Sequence, residues 1–370
     1  MAGQSKKVFV GMSGGVDSSV SAALLKARGF DVTGVFIKVW QPDWMECAWR
    51  EDRLDAMRVA ARIGIPFVTL DLEEEYKREV VDYMIAEYKA GRTPNPDVMC
   101  NRHVKFGGFL DWALAQGADF VATGHYARVE GCDASSTATG SRARLLAGRD
   151  EGKDQSYFLW QVSAERLARV LFPVGDMEKP AVRALAERFK LPNARKRDSQ
   201  GLCFVGNVDM KEFLGHYLPA TRGDVLDSSG AIIGHHDGAI FLTLGERRGF
   251  SISVKTANDA PYYIVARDVE RNTVTVAHGS VGEGSSNAIV TGAEKTSFDL
   301  GDVSWVGGLP VAGAAYHARI RHLGELLPCA LPSVGRDHAR VEFDAPLVIS
   351  PGQSVVIYEG EECLGGGILV

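Results

Sequence analysis

Ser13-Gly14-Gly15-Val16-Asp17-Ser18-Ser19 follows the apolar run Val8-Phe9-Val10 and leads into a helix-like segment from Val20 to Arg28. A strand, a glycine loop and a helix in that order make an oxyanion site. The first helical N–H groups have no intrahelical partner and sit at the positive end of the helix dipole. Gly14 and Gly15 let a phosphate approach the backbone, and Ser13, Ser18 and Ser19 offer hydroxyl donors. The lysine of a Walker A loop, G-x-x-x-x-G-K-[ST], is missing, so a different nucleotide chemistry is expected.

Two cysteines form the second chemical feature. Cys100 closes a segment stiffened by Pro94 and Pro96, and a helix is expected to begin near Asn101. A thiol at that helix N-terminus would be favoured as thiolate by the dipole. Asp97, three residues earlier, can take or give a proton. A partly buried cysteine and an N-capping aspartate would leave the same spacing, so both readings stand. Cys203 lies in the turn-rich stretch Asp198-Ser199-Gln200-Gly201-Leu202-Cys203-Phe204, directly after the basic run Arg188, Lys190, Arg195, Lys196, Arg197. That run reads either as a solvated face or as an RNA contact. The joint pattern is an activating loop plus two loop thiols 103 residues apart. Adenylation makes a carbonyl oxygen a leaving group, and cysteine can carry the incoming sulfur as a persulfide.

The elements that must position these groups alternate. Val8 to Val10 precedes Val20 to Arg28, Val32 to Ile37 precedes Asp52 to Ile63, and Pro66 to Leu70 precedes Glu75 to Lys89. Gly29, Gly64, Gly91 and Gly117 stand where helix C-caps are expected. This rhythm predicts an α/β fold whose N-terminal part is a doubly wound parallel sheet, with ligands at the carboxyl ends of its strands. Thr123-Gly124-His125-Tyr126, after the strand Asp119 to Ala122, falls on that edge. Cys132 to Ser141 reads as a mobile surface loop. Beyond Gly206 come short β-like runs, among them Ala239 to Leu244, Tyr262 to Ala266 and Thr273 to Ala277. From Ser286 the runs Ala315 to Ile320, Arg340 to Phe343 and Ser354 to Tyr358 suggest a closed antiparallel barrel. The expected division is 1–206, adenylating; 207–284, small and mainly β; and 285–370, a C-terminal β-barrel.

Composition sets the outer bounds. A chain of 370 residues, 45% apolar and 24% charged, is an ordinary globular sequence of two or three domains. No apolar run approaches the ~20 residues that span a bilayer, so no membrane partner is expected. Met1 lies too close to the glycine loop for a signal or transit peptide, so the expected site of action is cytoplasmic. The six cysteines should then be reduced thiols, and no C-x-x-C pair suggests a structural zinc site. A net charge of -6 argues against a broadly basic nucleic-acid binder.

The S-G-G-x-D-S signature resembles the pyrophosphate-binding loop of enzymes that split ATP into AMP and pyrophosphate. The chain as a whole resembles the bacterial tRNA-specific 2-thiouridylase family. The resemblance rests on Gly11 to Ser18, Ala90 to Asp97, Cys100-Asn101, Thr123 to Tyr126, Lys153-Asp154-Gln155-Ser156-Tyr157, the Cys203 loop, Pro351-Gly352-Gln353 and Cys363 to Gly367. It implies that Gly11, Met12, Ser13, Gly14, Gly15, Val16, Asp17, Ser18, Ile37 and Gly124 contact ATP, used with Mg2+. Asn95, Pro96 and Asp97 would surround the target base, with Asp97 assisting proton transfer. Cys100 would be the nucleophile, and Cys203 would receive persulfide sulfur from a donor protein, the two meeting in a transient disulfide. His125, Lys153, Asp154, Gln155, Arg321, His322 and Gln353 would touch tRNA. The family's acceptors are the tRNAs for Lys, Glu and Gln, and a monomer is one reading of the active form. The sequence departs from the family at His322, where a Tyr is common, at Gln200, and at Gly245-Glu246-Arg247-Arg248-Gly249.

Two other readings compete. An ATP-dependent amide-forming ligase would explain the glycine loop and leave the paired thiols idle. An RNA-binding accessory protein would explain the barrel and the basic run and leave the loop without a purpose.

Overall fold

The computed structural model describes residues 5–45, 49–131, 143–198, 210–253, 260–281, 288–290 and 295–370. Cys203, Gln200 and the stretch from Cys132 to Ser141 lie outside the described residues.

The first sheet is parallel throughout. Its strands are β1 Lys7–Gly11, β2 Asp31–Lys38, β3 Phe67–Asp71, β4 Phe120–Ala122 and β7 Val170–Leu171, in the order β3-β2-β1-β4-β7. Between β4 and β7 the chain makes a hairpin, β5 Ala127–Glu130 and β6 Arg144–Ala147. Because helices cover both faces of the sheet, β1 is apolar without alternation, and Val8 and Val10 are fully buried. Helix α1, Val16–Ala27, buries Val20 and Leu25 against one face, each worth roughly 1.5–3 kcal/mol. Helix α2, Trp49–Ile63, joins it there, as does α3, Lys179–Arg188. Helical residues 73–89 and 96–115 cover the other face, with Tyr76, Val80, Met84, Phe106 and Phe109 in its core. The four glycines expected at helix ends all have left-handed φ. The chain runs from β1 to β2 and β3 on one side and returns to β4 on the other, so the crevice beyond the ends of β1 and β4 is a topological switch point.

A small mixed sheet follows: β8 Gly223–Leu226, β9 Ile232–His236, β10 Phe250–Ile252, β11 Tyr262–Asp268 and β12 Thr273–Val281, with β13 Ala288–Val290 added to β12. Residues 239–244, expected to be extended, instead hold a 3-10 turn at Ala239–Phe241. Ala239 and Leu242 still enter the core of this sheet, which explains the apolar run without a strand.

The last strands are β14 Lys295–Trp305, β15 Ala315–Arg319, β16 Leu327–Val334, β17 His338–Leu347, β18 Ser354–Glu359 and β19 Glu362–Leu369. They pair in the order β14-β17-β16-β15-β18-β19, and β19 returns to β14, closing the expected antiparallel barrel. The hairpin β5–β6 extends this sheet through β6, whose Leu145 and Leu146 pair with Cys363 and Glu362 of β19. The buried Asp154–Arg319 ion pair ties the segment after that hairpin to the barrel, as do the Ser156–Tyr358 hydroxyls at 3.1 Å. Among the described residues no helix is long and apolar enough to cross a membrane.

Candidate active site

Helix α1 begins at Val16, four residues earlier than its apolar run suggests, so Asp17 and Ser18 stand in its first turn at the switch point. Gly15 is the N-cap and offers no side chain, which leaves the first helical N–H groups facing the loop. Gly14 takes φ +79, and a Cβ there would lie 2.3 Å from the Asp52 carbonyl oxygen. Ser13 and Ser18 bring their hydroxyls within 3.4 Å of each other at the loop mouth. Ser19 points away: it is fully buried and donates to the Gly15 carbonyl at 2.7 Å, so its hydroxyl is not a phosphate donor. Met12 and Val16 pack in the core beneath, leaving only their backbone on the loop. Ile37 is buried at the carboxyl end of β2. Gly124 packs against α1 so closely that a Cβ would meet the Ser18 nitrogen at 2.5 Å, so this position must be glycine.

The thiol helix differs from expectation. It starts at Pro96 with Asn95 as N-cap, its Oδ1 accepting from the Val98 N–H at 3.4 Å. Cys100 is therefore the fifth helical residue, one turn past the N-terminus, and its side chain is fully buried. The dipole falls off within the first turn, so the expected dipole activation of this thiol has no geometric basis. From Cys100 to Gly108 the helix widens into π geometry, a form that clusters at functional sites. Asp97 stands in the first turn, on the same short element as Asn95 and Pro96.

His125 joins the thiol helix to the phosphate loop. Lys105, in the π segment, donates to His125 Nε2 at 3.2 Å, and Gly124, which touches Ser18, is the next residue back. The imidazole is buried between Phe106 and Phe172, and its Nδ1 lies 2.5 Å from Thr123 Oγ1. Burial, then the Lys105 charge, push its pKa well below the ordinary value. His125 thus lies inside, 7% exposed.

Other residues expected to face tRNA divide in the same way. Asp154 is 1% exposed and accepts from the Gly148 and Ser156 N–H groups at 2.9 and 3.0 Å and from Arg319. Its carboxylate is buried and held by these donors. Gln155 accepts from the Tyr126 N–H at 3.0 Å, and Gln353 from the Ser350 N–H at 3.1 Å. Lys153 is paired with Asp198 at 3.0 Å. His322 stacks on Phe158 with ring centroids 4.3 Å apart. Among the described residues, Arg321 Nη2 and His322 Nδ1 are buried without a hydrogen-bond partner. In the basic run, Lys196 is bound to Asp52 and Asp55, so it belongs to the fold. Burial drives the thiols of Cys329 and Cys363 up to about 12, which removes both from nucleophilic chemistry at neutral pH.

Sequence reasoning missed two residues. Asn193, 6% exposed, donates from Nδ2 to the Gly14 and Gly15 carbonyls and to Ser19 Oγ, at 2.9, 3.2 and 2.9 Å, and so props the loop from behind. Lys179, at the start of α3, donates to both Asp17 oxygens at 2.8 Å, and the Tyr126 hydroxyl donates to the same carboxylate at 2.9 Å. Neither lies in a recognisable motif; the only signal is an amphipathic helix preceding a polar turn.

Among the described residues no group of three His, Cys, Asp or Glu side chains can hold a metal ion. Asp17, the loop's carboxylate, takes the Lys179 ammonium on both oxygens, so the site suits Mg2+ carried by nucleotide phosphates and water.

Sequence profiles match the chain in three consecutive parts. They are described as tRNA methyl transferase HUP domain over residues 6–207, tRNA methyl transferase PRC-barrel domain over 211–278, and Aminomethyltransferase beta-barrel domain over 295–369. The chain is 43% identical over 370 residues to the tRNA-specific 2-thiouridylase MnmA of Thiobacillus denitrificans, with 99% of each chain covered. It is 44% identical over 369 residues to the protein of that name from Pseudomonas syringae pv. syringae, covering 98% of this chain and 94% of that one. Among solved structures it is similar to the U34-tRNA thiolase NcsA of Methanococcus maripaludis, at 17% identity and a TM-score of 0.34, over 57% of this chain and 64% of that one.

Proposed function

The chain belongs to the tRNA-specific 2-thiouridylase family, and from that premise we propose which of its residues perform each step. The protein is an ATP-dependent sulfurtransferase that makes 2-thiouridine in tRNA. Two of the matching profiles carry a methyl-transfer description, but a phosphate loop joined to a cysteine helix serves thiolation. The observation that carries this reading is the contact of Lys105 with His125, because it links the helix of Cys100 to the loop of Ser18 through Gly124.

ATP lies along Gly11 to Ser18 with Ile37 and Gly124, its phosphates on the open N–H groups of α1. Mg2+ would be held by those phosphates and water, where it offsets phosphate charge. The uridine is extruded from the anticodon and enclosed by Asn95, Pro96 and Asp97. Its carbon-2 oxygen attacks the α-phosphorus, the bond to the β-phosphate oxygen breaks, and pyrophosphate leaves. The terminal sulfur of a Cys203 persulfide then attacks carbon-2. Cys100, its proton passed to Asp97, attacks Cys203 Sγ. The S–S bond of the persulfide breaks, its electron pair stays with the sulfur on carbon-2, and AMP departs with the former uridine oxygen. A Cys100–Cys203 disulfide remains, and two electrons from a thiol reductant restore both thiols.

Lys153, Gln155, Arg321, His322 and Gln353 contact the tRNA backbone and loop, with Asp154 holding the turn behind them and His125 lining the base pocket. The accepted tRNAs are those for Lys, Glu and Gln, and a persulfide-carrying protein supplies the sulfur in the cytoplasm. The division at 1–206, 207–284 and 285–370 belongs to the same reading.

Incubation with ATP, Mg2+, a persulfide-loaded donor protein and unmodified tRNA should yield AMP and a thionucleoside that shifts on a mercury-containing gel. Cys203→Ser should retain ATP–pyrophosphate exchange and lose thiolation. AMP without thiolated RNA would favour the ligase reading, and RNA binding without AMP the accessory protein.

A further inference from the structure

The middle sheet supplies none of the residues placed at ATP, the uridine or the sulfur, yet it grips the segment that leads to Asn95. Arg267, near the end of β11, donates through Nη1 to the Leu242 carbonyl and through Nη2 to the Gly91 carbonyl. The register of β11 against β12 shifts between Ile264 and Ala266, and such a bulge re-aims the side chains beyond it. Gly91 has φ +74, and a Cβ there would lie 3.1 Å from Val269 Cγ2, so glycine lets the two segments meet. Two positions on, the Thr93 hydroxyl lies 3.3 Å from that of Thr243. Thr243 is itself held: its N–H donates to Glu246 Oε2 at 3.0 Å, and the Glu246 N–H donates back to the Thr243 carbonyl at 3.1 Å. The Glu246 carbonyl accepts from the Ile264 N–H at 3.0 Å, which docks this turn on β11. Leu244, within the turn, donates its N–H to the fully buried Ser350 hydroxyl at 2.9 Å, so the turn also meets the barrel.

A guanidinium presents its donors in one rigid plane, so Arg267 holds the Leu242 and Gly91 carbonyls in a fixed relation that a flexible ammonium would not. Burial pulls its pKa below the ordinary value, which lies so far above neutrality that the charge persists. Pro94 and Pro96 then fix φ at two of the next positions. Anchors at Gly91 and Thr93 are thereby passed stiffly to Asn95 and Asp97, at the start of the helix that carries Cys100.

We propose that Arg267, with the turn from Thr243 to Glu246, positions the uridine-binding segment: the middle sheet clamps Gly91 and Thr93 so that Asn95, Pro96 and Asp97 meet the base in one geometry. The proposal rests on the reading of those three residues as the base-binding segment. It gives the middle sheet a part in the reaction, because a displacement of about 1 Å at a reacting group can cost about a hundredfold in rate.

The full-length protein tests this through Arg267→Met, which keeps an unbranched stem and removes the donors. Hydrogen exchange read by peptide mass spectrometry should show residues 91–95 exchanging about tenfold faster, with α1 unchanged. In thiolation assays kcat should fall about tenfold, the scale of one lost charge-assisted contact. The KM for tRNA and the Kd of a non-hydrolysable ATP analogue should stay within about twofold, because the groups that hold them lie elsewhere. If the methionine variant does not fold, Thr243→Val, nearly isosteric, should lower kcat about threefold by losing one hydroxyl contact. Unchanged exchange or unchanged kcat in the folded variant overturns the clamp. So does a loss carried by KM or by ATP affinity instead of kcat. Asn95→Ala with full thiolation overturns the base-binding reading itself, whereas impaired Asn95→Ala beside a normal Arg267→Met protein overturns the clamp alone.

Discussion

The Lys105 ammonium donates to Nε2 of His125 at 3.2 Å in the protein interior, which fixes the imidazole as the neutral tautomer with its proton on Nδ1, facing Thr123. A cation beside an uncharged ring is a pH-sensitive arrangement, because protonating the ring would place two positive charges together.

The unfolded chain binds a proton at this histidine below about pH 6.5, whereas the folded protein refuses it. The folded pKa is lowered, so stability is full above about pH 6.5 and falls as the pH drops through that value. Urea unfolding from pH 7.5 to 5.5 should show the loss, and His125→Gln should reduce the slope by up to about 1.4 kcal/mol per pH unit. Burial lowers His103, His236 and His322 in the same sense, so the slope flattens without vanishing. An identical slope in the variant would refute the neutral assignment.

Asn193→Ala removes three hydrogen bonds from beneath the phosphate loop and takes a donor from the Gly14 carbonyl, while the Gly15 carbonyl keeps the Ser19 hydroxyl. The expected cost is about 1–3 kcal/mol, felt mainly as a rise of about tenfold or more in the Kd of a non-hydrolysable ATP analogue by calorimetry. Unchanged affinity would show that the loop holds its shape alone.

Gly352 has φ +90 and lies against the segment that leads to Asn95, where a Cβ would come within 2.8 Å of the Thr93 nitrogen. That nitrogen donates to the Pro351 carbonyl at 2.7 Å, joining the barrel to the base-binding side. Gly352→Ala should cost about 1–3 kcal/mol in thermal unfolding and raise the KM for tRNA more than that for ATP. Equal changes in both constants would place the damage elsewhere.

Arg319→Met leaves Asp154 buried without its cation, although three hydrogen bonds from Gly148 and Ser156 remain. Breaking such a pair costs 3–5 kcal/mol in general, and the remaining donors put this case near about 3 kcal/mol. Chemical denaturation checks the value, and a loss under about 1 kcal/mol would mean that the pair contributes little to joining hairpin and barrel.

The parallel sheet was legible because β1 and α1 carry local signals: an unbroken apolar run, a glycine turn, a 3.6-residue period. The closed barrel was legible from alternation, as in β17, where Ala339, Val341 and Phe343 are buried and their neighbours exposed. The start of the thiol helix was misread, because Cys100 looks N-terminal by sequence while the cap at Asn95 depends on a side-chain bond. Ala239 to Leu244 was misread because a buried turn and a strand can share one apolar run.

By itself the sequence determined the glycine loop between β1 and α1 and the N-terminal alternation of strands and helices, since each of these signals is written within a dozen consecutive residues. Only the tertiary structure decided that Asn193 supports Gly14, that Lys179 joins Asp17 to Asp198, and that His125 and Asp154 lie inside. Those relationships span from about twenty to nearly two hundred positions of chain. Hydrogen bonds and ion pairs between distant residues follow from how whole elements pack, so no local pattern of residue types records them.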